Sequence, residues 1–417
     1  MMKKLIAKER MVEDIMDQDY TTQYSPDPVY RKVNLAYEDY HVGWICALPI
    51  ELAAATAMLT EVHESLPRKA QDGNTYTLGR IGPHNTVICG LPTYGTVNAA
   101  VVASDLRRSF PSVQFTMMIG VAGAVPTKAD IRLGDVVVGM RVIQYDIGKT
   151  VEGGKFQRTG SLNGPPQILS TAITKLRAER MSRPSKIATI LSRKKFNRPD
   201  PSSDRLFDST HGHSNNSGSC DYCDSSKLVE RRAREDDEPQ VFYGAIASGN
   251  QVMRHGITRD RIAQELDVLC FEMEAAGIMD TLPCLVIRGI CDYADSHKNK
   301  EWQEYAAAAA AAYAADLLSY VQASDGVRGP RVSSQHESLV HQSFGGDARG
   351  GDACGGNAVG GLAAGGSARG GDAHGGNARG GDASGGFAQS VGSYGGEARG
   401  GNARGGAAWG GRFRTEL

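Results

Sequence analysis

Short apolar runs, punctuated by glycine and separated by helical segments, constrain this chain more than any other feature. Val42-Gly43-Trp44-Ile45-Cys46-Ala47, Thr116 to Ile119, Asp135 to Gly139 with Val142 to Tyr145, Val241 to Ala247, and Leu285 to Ile290 are the main ones. Runs of this length without strict polar alternation fit strands buried on both faces. Thr75 to Leu78 and Asn85 to Cys89 are two further strand candidates. Between them, Ile50 to Leu59 is Ala-rich with Pro49 near its start, and Val97 to Phe110 has helical spacing. A long helix is predicted from Trp302 to about Val321, where repeated alanines favour helix and close packing. Strand, glycine turn and helix in repetition imply βαβ units, and hence an α/β fold with a mixed or parallel sheet.

The 417 residues leave room for one large or two ordinary domains. Composition divides the chain. Residues 1–40 are polar and Pro-interrupted, and read as a mobile N-terminal arm. The α/β pattern occupies 41–323. Inside it, after a helix predicted over Ile168 to Arg180, the stretch from about 182 to 239 is rich in Ser, Asn, Arg, Asp and Pro. It reads as an exposed, disordered polar insertion. Residues 324–417 lose the apolar pattern, and from Gly345 a Gly-Gly-x-Ala-x unit recurs. A pentapeptide solenoid needs larger inward side chains than the alanines found here, so a disordered, flexible tail is the favoured reading.

The charge balance is even, 46 basic against 47 acidic residues, which argues against nucleic acid or an anionic membrane as partner. No apolar run approaches the roughly 20 residues that span a bilayer, and Met1 to Tyr40 holds no apolar signal core. Of the eight cysteines, Cys46, Cys89, Cys270, Cys284 and Cys291 sit in apolar runs, as buried free thiols do. An intracellular, cytoplasmic setting is expected. The insertion carries His211-Gly212-His213 and Cys220-Asp221-Tyr222-Cys223. Zinc is the sharper reading of that cluster. Standard spacings place a second ligand pair farther along, however, so two thiols in a polar loop is the preferred reading and no metal is expected.

Acids stand at two informative places. Phe271-Glu272-Met273-Glu274-Ala275-Ala276-Gly277 puts two at the start of a predicted helix, and Asp292 follows the Leu285 to Ile290 run. In an open α/β sheet, such positions face the crevice at the carboxyl ends of the strands. Carboxylates there are costly unless they do chemistry or hold a polar ligand.

Six segments occur in a telling order: Ile45-Cys46-Ala47-Leu48-Pro49-Ile50-Glu51, Gly120-Val121-Ala122-Gly123-Ala124, Ile131 to Val138, Ser248-Gly249-Asn250, Phe271 to Ala275, and Ile290-Cys291-Asp292. Together they resemble the nucleoside phosphorylase and nucleosidase superfamily, over His41 to about Val321, in the branch found in filamentous fungi. The resemblance implies a three-layer α-β-α fold with a central mixed sheet, and cleavage of the N-glycosidic bond of a purine nucleoside or nucleotide. Asp292 matches the residue that gives a proton to purine N7. Glu274 matches the one that binds the ribose hydroxyls and faces the developing cation, with Met273 packed on the sugar and Glu272 in support. Residues two apart face different sides of a helix, so Glu272 and Glu274 are expected in separate roles. Glu51 falls where methylthioadenosine/adenosylhomocysteine nucleosidases keep a water-activating glutamate. Gly123, Ser248, Asn250, Val252 and Phe271 match substrate-contacting positions, although many relatives have an acid where Asn250 stands. No cofactor is implied, and family members are usually homo-oligomers. Between Ala47 and Glu64 there is no Arg or Lys, which favours water over phosphate as acceptor. The alternatives are a phosphate-dependent phosphorylase, and a nucleoside-sensing or signalling module of a fungal defence-type protein.

Overall fold

The computed structural model describes residues 29–31, 33, 35–160, 164–213, 219–279 and 281–323, together with short strands within 348–414. Ten strands form one mixed sheet: β1 (Val29–Arg31), β2 (Val42–Cys46), β3 (Glu61–His63), β4 (Tyr76–Ile81), β5 (His84–Gly90), β6 (Phe115–Ala124), β7 (Val136–Gln144), β10 (Val241–Ser248), β11 (Val268–Glu272) and β12 (Cys284–Asp292). A separate hairpin joins β8 (Gly148–Thr150) to β9 (Phe156–Arg158). The sheet order is β1-β3-β4-β5-β2-β6-β11-β10-β7-β12, and β12 also pairs with β6. That extra pairing closes β6, β11, β10, β7 and β12 into a ring, a closure that apolar runs alone do not reveal. The two runs predicted at Asp135 to Gly139 and Val142 to Tyr145 are one strand, β7, whose register against β10 shifts at Gly244/Ala245.

Helices cover both faces of the sheet. The helix Gln303–Leu318 is buried from Tyr305 to Leu318 and packs on β12 and β6. Its far side meets the helices Pro49–Ala57, Gln167–Arg180 and Ile187–Arg193. A helix wrapped on all sides needs small residues, and the run Ala306 to Ala312 supplies them. The helix also sits very close to β12: a Cβ at Gly289 would land on the Ala306 carbonyl.

The stretch 182–239 departs from expectation. Apart from residues 214–218, which lie outside the described set, it is an ordered part of the domain. It opens with the helix Ile187–Arg193 and buries Ile187, Ile190, Leu191, Leu206, Phe207 and Cys220. Arg234 donates to both oxygens of the buried Asp135 at 2.7 Å, and Arg231 donates to the Tyr293 hydroxyl at 2.7 Å. These anchors occur singly among polar residues, with no period for a sequence pattern to show. Part of the expected arm is likewise structured: β1 pairs with β3, and the buried Tyr40 shares a 2.9 Å hydrogen bond with His63 Nδ1. Residues 1–28 lie outside the described set, as does most of 324–417. Within the latter, Ala348 pairs in parallel with Ala363, and Ala363 with Ala378, so each partner lies three five-residue units on.

Replacing Gly289 with Ala should force the Gln303–Leu318 helix off the sheet. The expected loss is about 1–3 kcal/mol in denaturant unfolding. Gly212→Ala, with nothing within 4 Å of an added Cβ, should leave stability unchanged.

Candidate active site

Glu51 sits in the first turn of the helix that begins where β2 ends. Its Oε2 accepts the Ala47 and Leu48 N–H groups at 2.7 and 2.9 Å, and its Oε1 accepts the Val121 N–H at 2.8 Å. One buried carboxylate thus fastens the β2–helix turn to β6. Burial raises its pKa, while the Arg288 guanidinium and the three N–H groups oppose the rise. Gly120 makes this arrangement fit, since a Cβ there would strike both the Glu51 carboxylate and the Arg288 guanidinium.

Arg288 lies in the middle of β12 and is fully buried. Its Nη2 donates to Glu272 Oε2 and, at 3.2 Å, to Glu274 Oε2. Here the structure corrects a sequence expectation. Glu272 is the last residue of β11 and Glu274 caps a short helix, Ala275–Ile278, so the two are not on opposite sides of one helix. The strand-to-helix corner turns both carboxylates onto the same guanidinium. Glu272 also accepts the Glu274 and Ala275 N–H groups at 3.1 and 3.0 Å. Burial, with like charge from Glu272 and Glu51, pushes Glu274 up to about 7 against the pull of Arg288.

Asp292 ends the same strand. Its Oδ1 accepts the Ala294 N–H at 2.9 Å, and its Oδ2 lies 3.0 Å from Lys298 Nζ. Burial lowers the Lys298 pKa, but Asp292 and Cys291 outweigh that and leave the ammonium held above its ordinary value. Ala294 has a φ of 53°, a left-handed conformation uncommon for alanine, which turns the chain so that its N–H meets the carboxylate. Gly123 pairs with Asp292 across the sheet, and a Cβ on it would strike Asp292 Oδ1. Gly120 and Gly123 are three residues apart on β6, about 10 Å along a strand. The Glu51–Arg288 cluster and Asp292 therefore lie at two successive levels of the paired strands β6 and β12.

The other candidates are distributed around this line. Phe271 is buried and meets Tyr145 edge to face at 5.4 Å, while Met273 is half-buried. Ser248 is buried with its Oγ accepting the Ala276 N–H at 2.9 Å, so it braces the helix after Glu274. Asn250 Oδ1 accepts from Thr96 N and Oγ at 3.1 and 3.0 Å, and the Asn250 N–H donates to Asp146 at 2.7 Å. Val252 is exposed. An acid absent at position 250 is therefore present next to it, from β7's end. Arg288, Lys298 and Asp146 are site residues that sequence reading passed over; an arginine inside the apolar Leu285 to Ile290 run was the available signal. Cavities among the described residues are not lined by these acids. One of about 520 Å³ touches Leu52, Gly90 and Pro92, and one of about 260 Å³ lies between Arg132, Arg231 and Tyr305.

A phosphorylase superfamily profile matches residues 41–323, and the chain belongs to that superfamily. Among curated proteins, it is 46% identical over 312 residues to a nucleotide-binding leucine-rich repeat (NLR)-like protein of Hyaloscypha variabilis, covering 71% of this chain and 31% of the relative. It is 28% identical over 292 residues to the ATP nucleosidase Cap17 of Escherichia coli, covering 66% of this chain and 50% of that protein. It is 26% identical over 283 residues to a 5'-methylthioadenosine/S-adenosylhomocysteine nucleosidase of Mycobacterium bovis, covering 66% of this chain and 95% of that enzyme. The chain thus spans about a third and a half of the first two relatives. Among the described residues, no helix is long and apolar enough to cross a membrane.

The raised Glu274 pKa has a consequence for stability. The folded value, about 7, exceeds the ordinary 4.5. Its contribution is fully present below 4.5 and is lost as pH rises to about 7. Between pH 5 and 7.5, Glu274→Gln should lose less unfolding free energy than the parent, by on the order of 1 kcal/mol, in denaturant titrations at the two pH values.

Proposed function

We propose that this domain hydrolyses the N-glycosidic bond of a purine nucleoside or nucleotide. The observation that carries the reading is the pairing of two acidic centres: Glu51, Glu272 and Glu274 around Arg288, and Asp292 with Lys298 farther along β12. Breaking a ribosyl C–N bond leaves positive charge on the sugar and negative charge on the base. A carboxylate cluster suits the first and a proton donor the second.

In this reading Glu274 binds the ribose hydroxyls and faces the oxocarbenium-like carbon, with Met273 against the sugar and Glu272 holding Arg288 in place. Glu51 takes a proton from the attacking water. Arg288 Nε and Nη1 have no hydrogen-bond partner among the described residues, and Nη1 neighbours Glu51 at Gly120, so spare N–H groups are available to orient that water. Asp292 delivers a proton to N7 of the leaving purine. Lys298 favours this step by stabilising the carboxylate left behind. Phe271, Gly123, Asn250 and Val252 border the base, and Asp146 beside Asn250 offers an acceptor for an exocyclic amine or ring N–H.

The relatives support this reading, since two of the three carry nucleosidase names. They differ in substrate, so the panel must include ATP, adenosine and 5'-methylthioadenosine. The 46% identical NLR-like relative favours a second role for the same chemistry, as one part of a larger defence-type protein.

Incubation with purine nucleosides and nucleotides, followed by chromatography, should show free base released equally with and without phosphate. Asp292→Asn should lower turnover by about 10²–10⁴. Strict phosphate dependence would replace hydrolysis with phosphorolysis. Undiminished turnover in Asp292→Asn would remove the proposed acid.

A further inference from the structure

The ordered insertion brings together residues that the reaction does not use. Ligand atoms of His213, Cys220 and Cys223 all lie within 4.8 Å of one another. We propose that these three side chains form a zinc site that clips the insertion to the loop following β12.

The donor set suits the ion. Zinc takes thiolate sulfur at about 2.3 Å and imidazole nitrogen at about 2.0 Å in a tetrahedral arrangement, so its ligands stand roughly 3.5–3.8 Å apart. A contraction of about 1 Å or less would bring the present cluster to that spacing. His213 Nε2 lies 3.2 Å from the Ser219 carbonyl oxygen. A ring whose Nε2–H donates there carries its lone pair on Nδ1, the kind of outer-shell bond that orients a metal-bound imidazole. Cys220 is buried, and burial with the neighbouring Cys223 sulfur pushes its thiol up to about 11. Binding replaces the two S–H protons by Zn–S bonds and releases both protons to solvent. Three protein ligands leave a fourth position for water or for a nearby imidazole. His297 stands just beyond, its ring 5.4 Å from the His213 ring, and is not among the three residues whose ligand atoms cluster, so water is the expected fourth ligand.

The surroundings say what the clip would hold. Cys220 Sγ lies 3.8 Å from the His297 carbonyl, and the His213 N–H donates to Ser296 Oγ at 2.9 Å. Ser296 and His297 immediately precede Lys298, whose ammonium pairs with Asp292. His297 also stacks on Phe207 of the insertion, with ring centroids 4.1 Å apart. A zinc ion here would lock the 293–298 loop from outside, independently of whether the Asp292 centre cleaves nucleosides.

The test uses the full chain, purified without added chelator and analysed for metal and for free thiols. The expected result is close to one zinc per chain. Cobalt exchange should give a thiolate-to-cobalt charge-transfer band and strong visible bands of a tetrahedral ion. Cys223 is only half-buried, so Cys223→Ser should fold and lose both the zinc and the cobalt bands, while Cys354→Ser in the tail keeps them. A chelator should lower Tm, and added zinc should restore it. Zinc content unchanged in both Cys223→Ser and His213→Ala would overturn the proposal. So would protein that carries no zinc, binds no cobalt and shows a mass lower by two hydrogens from a Cys220–Cys223 disulfide.

Discussion

The site depends on one buried guanidinium. Arg288 stands in a strand whose every residue is buried, and three carboxylates, from Glu51, Glu272 and Glu274, act on it. An arginine there without partners would carry a large desolvation cost, and so would any of the acids alone. Removing one member of such a buried set costs about 3–5 kcal/mol. Three acids against one cation leave an excess of negative charge, and burial raises both Glu51 and Glu274 against the pull of Arg288. The cluster is therefore both a structural knot, joining β2, β6, β11 and β12, and a set of buried carboxylates of which Glu274 is pushed up to about 7. That combination is what a cation-forming reaction at a sugar carbon uses.

Much of this arrangement was legible in the sequence, because its parts obey local rules. Apolar runs marked β2, β6, β10 and β12, and a first-turn glutamate after Pro49 marked the helix carrying Glu51. The sequence placed Glu274 at the start of a helix and Asp292 at the end of the Leu285 to Ile290 strand, and the structure has Glu274 at the N-cap of Ala275–Ile278 and Asp292 as the last residue of β12. What escaped was set by tertiary geometry. The ring closed by β6 and β12 depends on a long-range pairing with no local mark. The joint grip of Glu272 and Glu274 on Arg288 follows from a strand-to-helix corner at Met273, where a continuous helix had been expected. Composition also misjudged residues 182–239, whose polar residues include the guanidinium groups that satisfy Asp135 and Tyr293.

That insertion changes how the acid end of the site is built. Asp135, just before β7, is buried and accepts from Arg234, Arg132 N and Gln240 N. The Ile290 N–H in turn donates to the Asp135 carbonyl at 2.8 Å. The insertion therefore holds the start of β7 and the last turns of β12 in one hydrogen-bonded unit. Tyr293, next to Asp292, is clamped between Asp204 and Arg231 of the same insertion. Positional precision at Asp292 comes from this outer layer, which a shorter family member would have to replace by other means.

The same bookkeeping of charges bears on the acceptor. A phosphate dianion brought to the sugar needs cations with donors free to meet it. Lys298 is bound by Asp292, and Arg288, although its Nε and Nη1 have no partner among the described residues, has its charge more than matched by Glu51, Glu272 and Glu274. Phosphate entering beside Glu51 and Glu274 would face like charge on carboxylates already short of compensation, a repulsion that the low local dielectric strengthens. A water molecule carries no such penalty, and Glu51 is a carboxylate whose raised pKa improves its proton affinity. The electrostatics that keep Arg288 buried thus favour a neutral nucleophile.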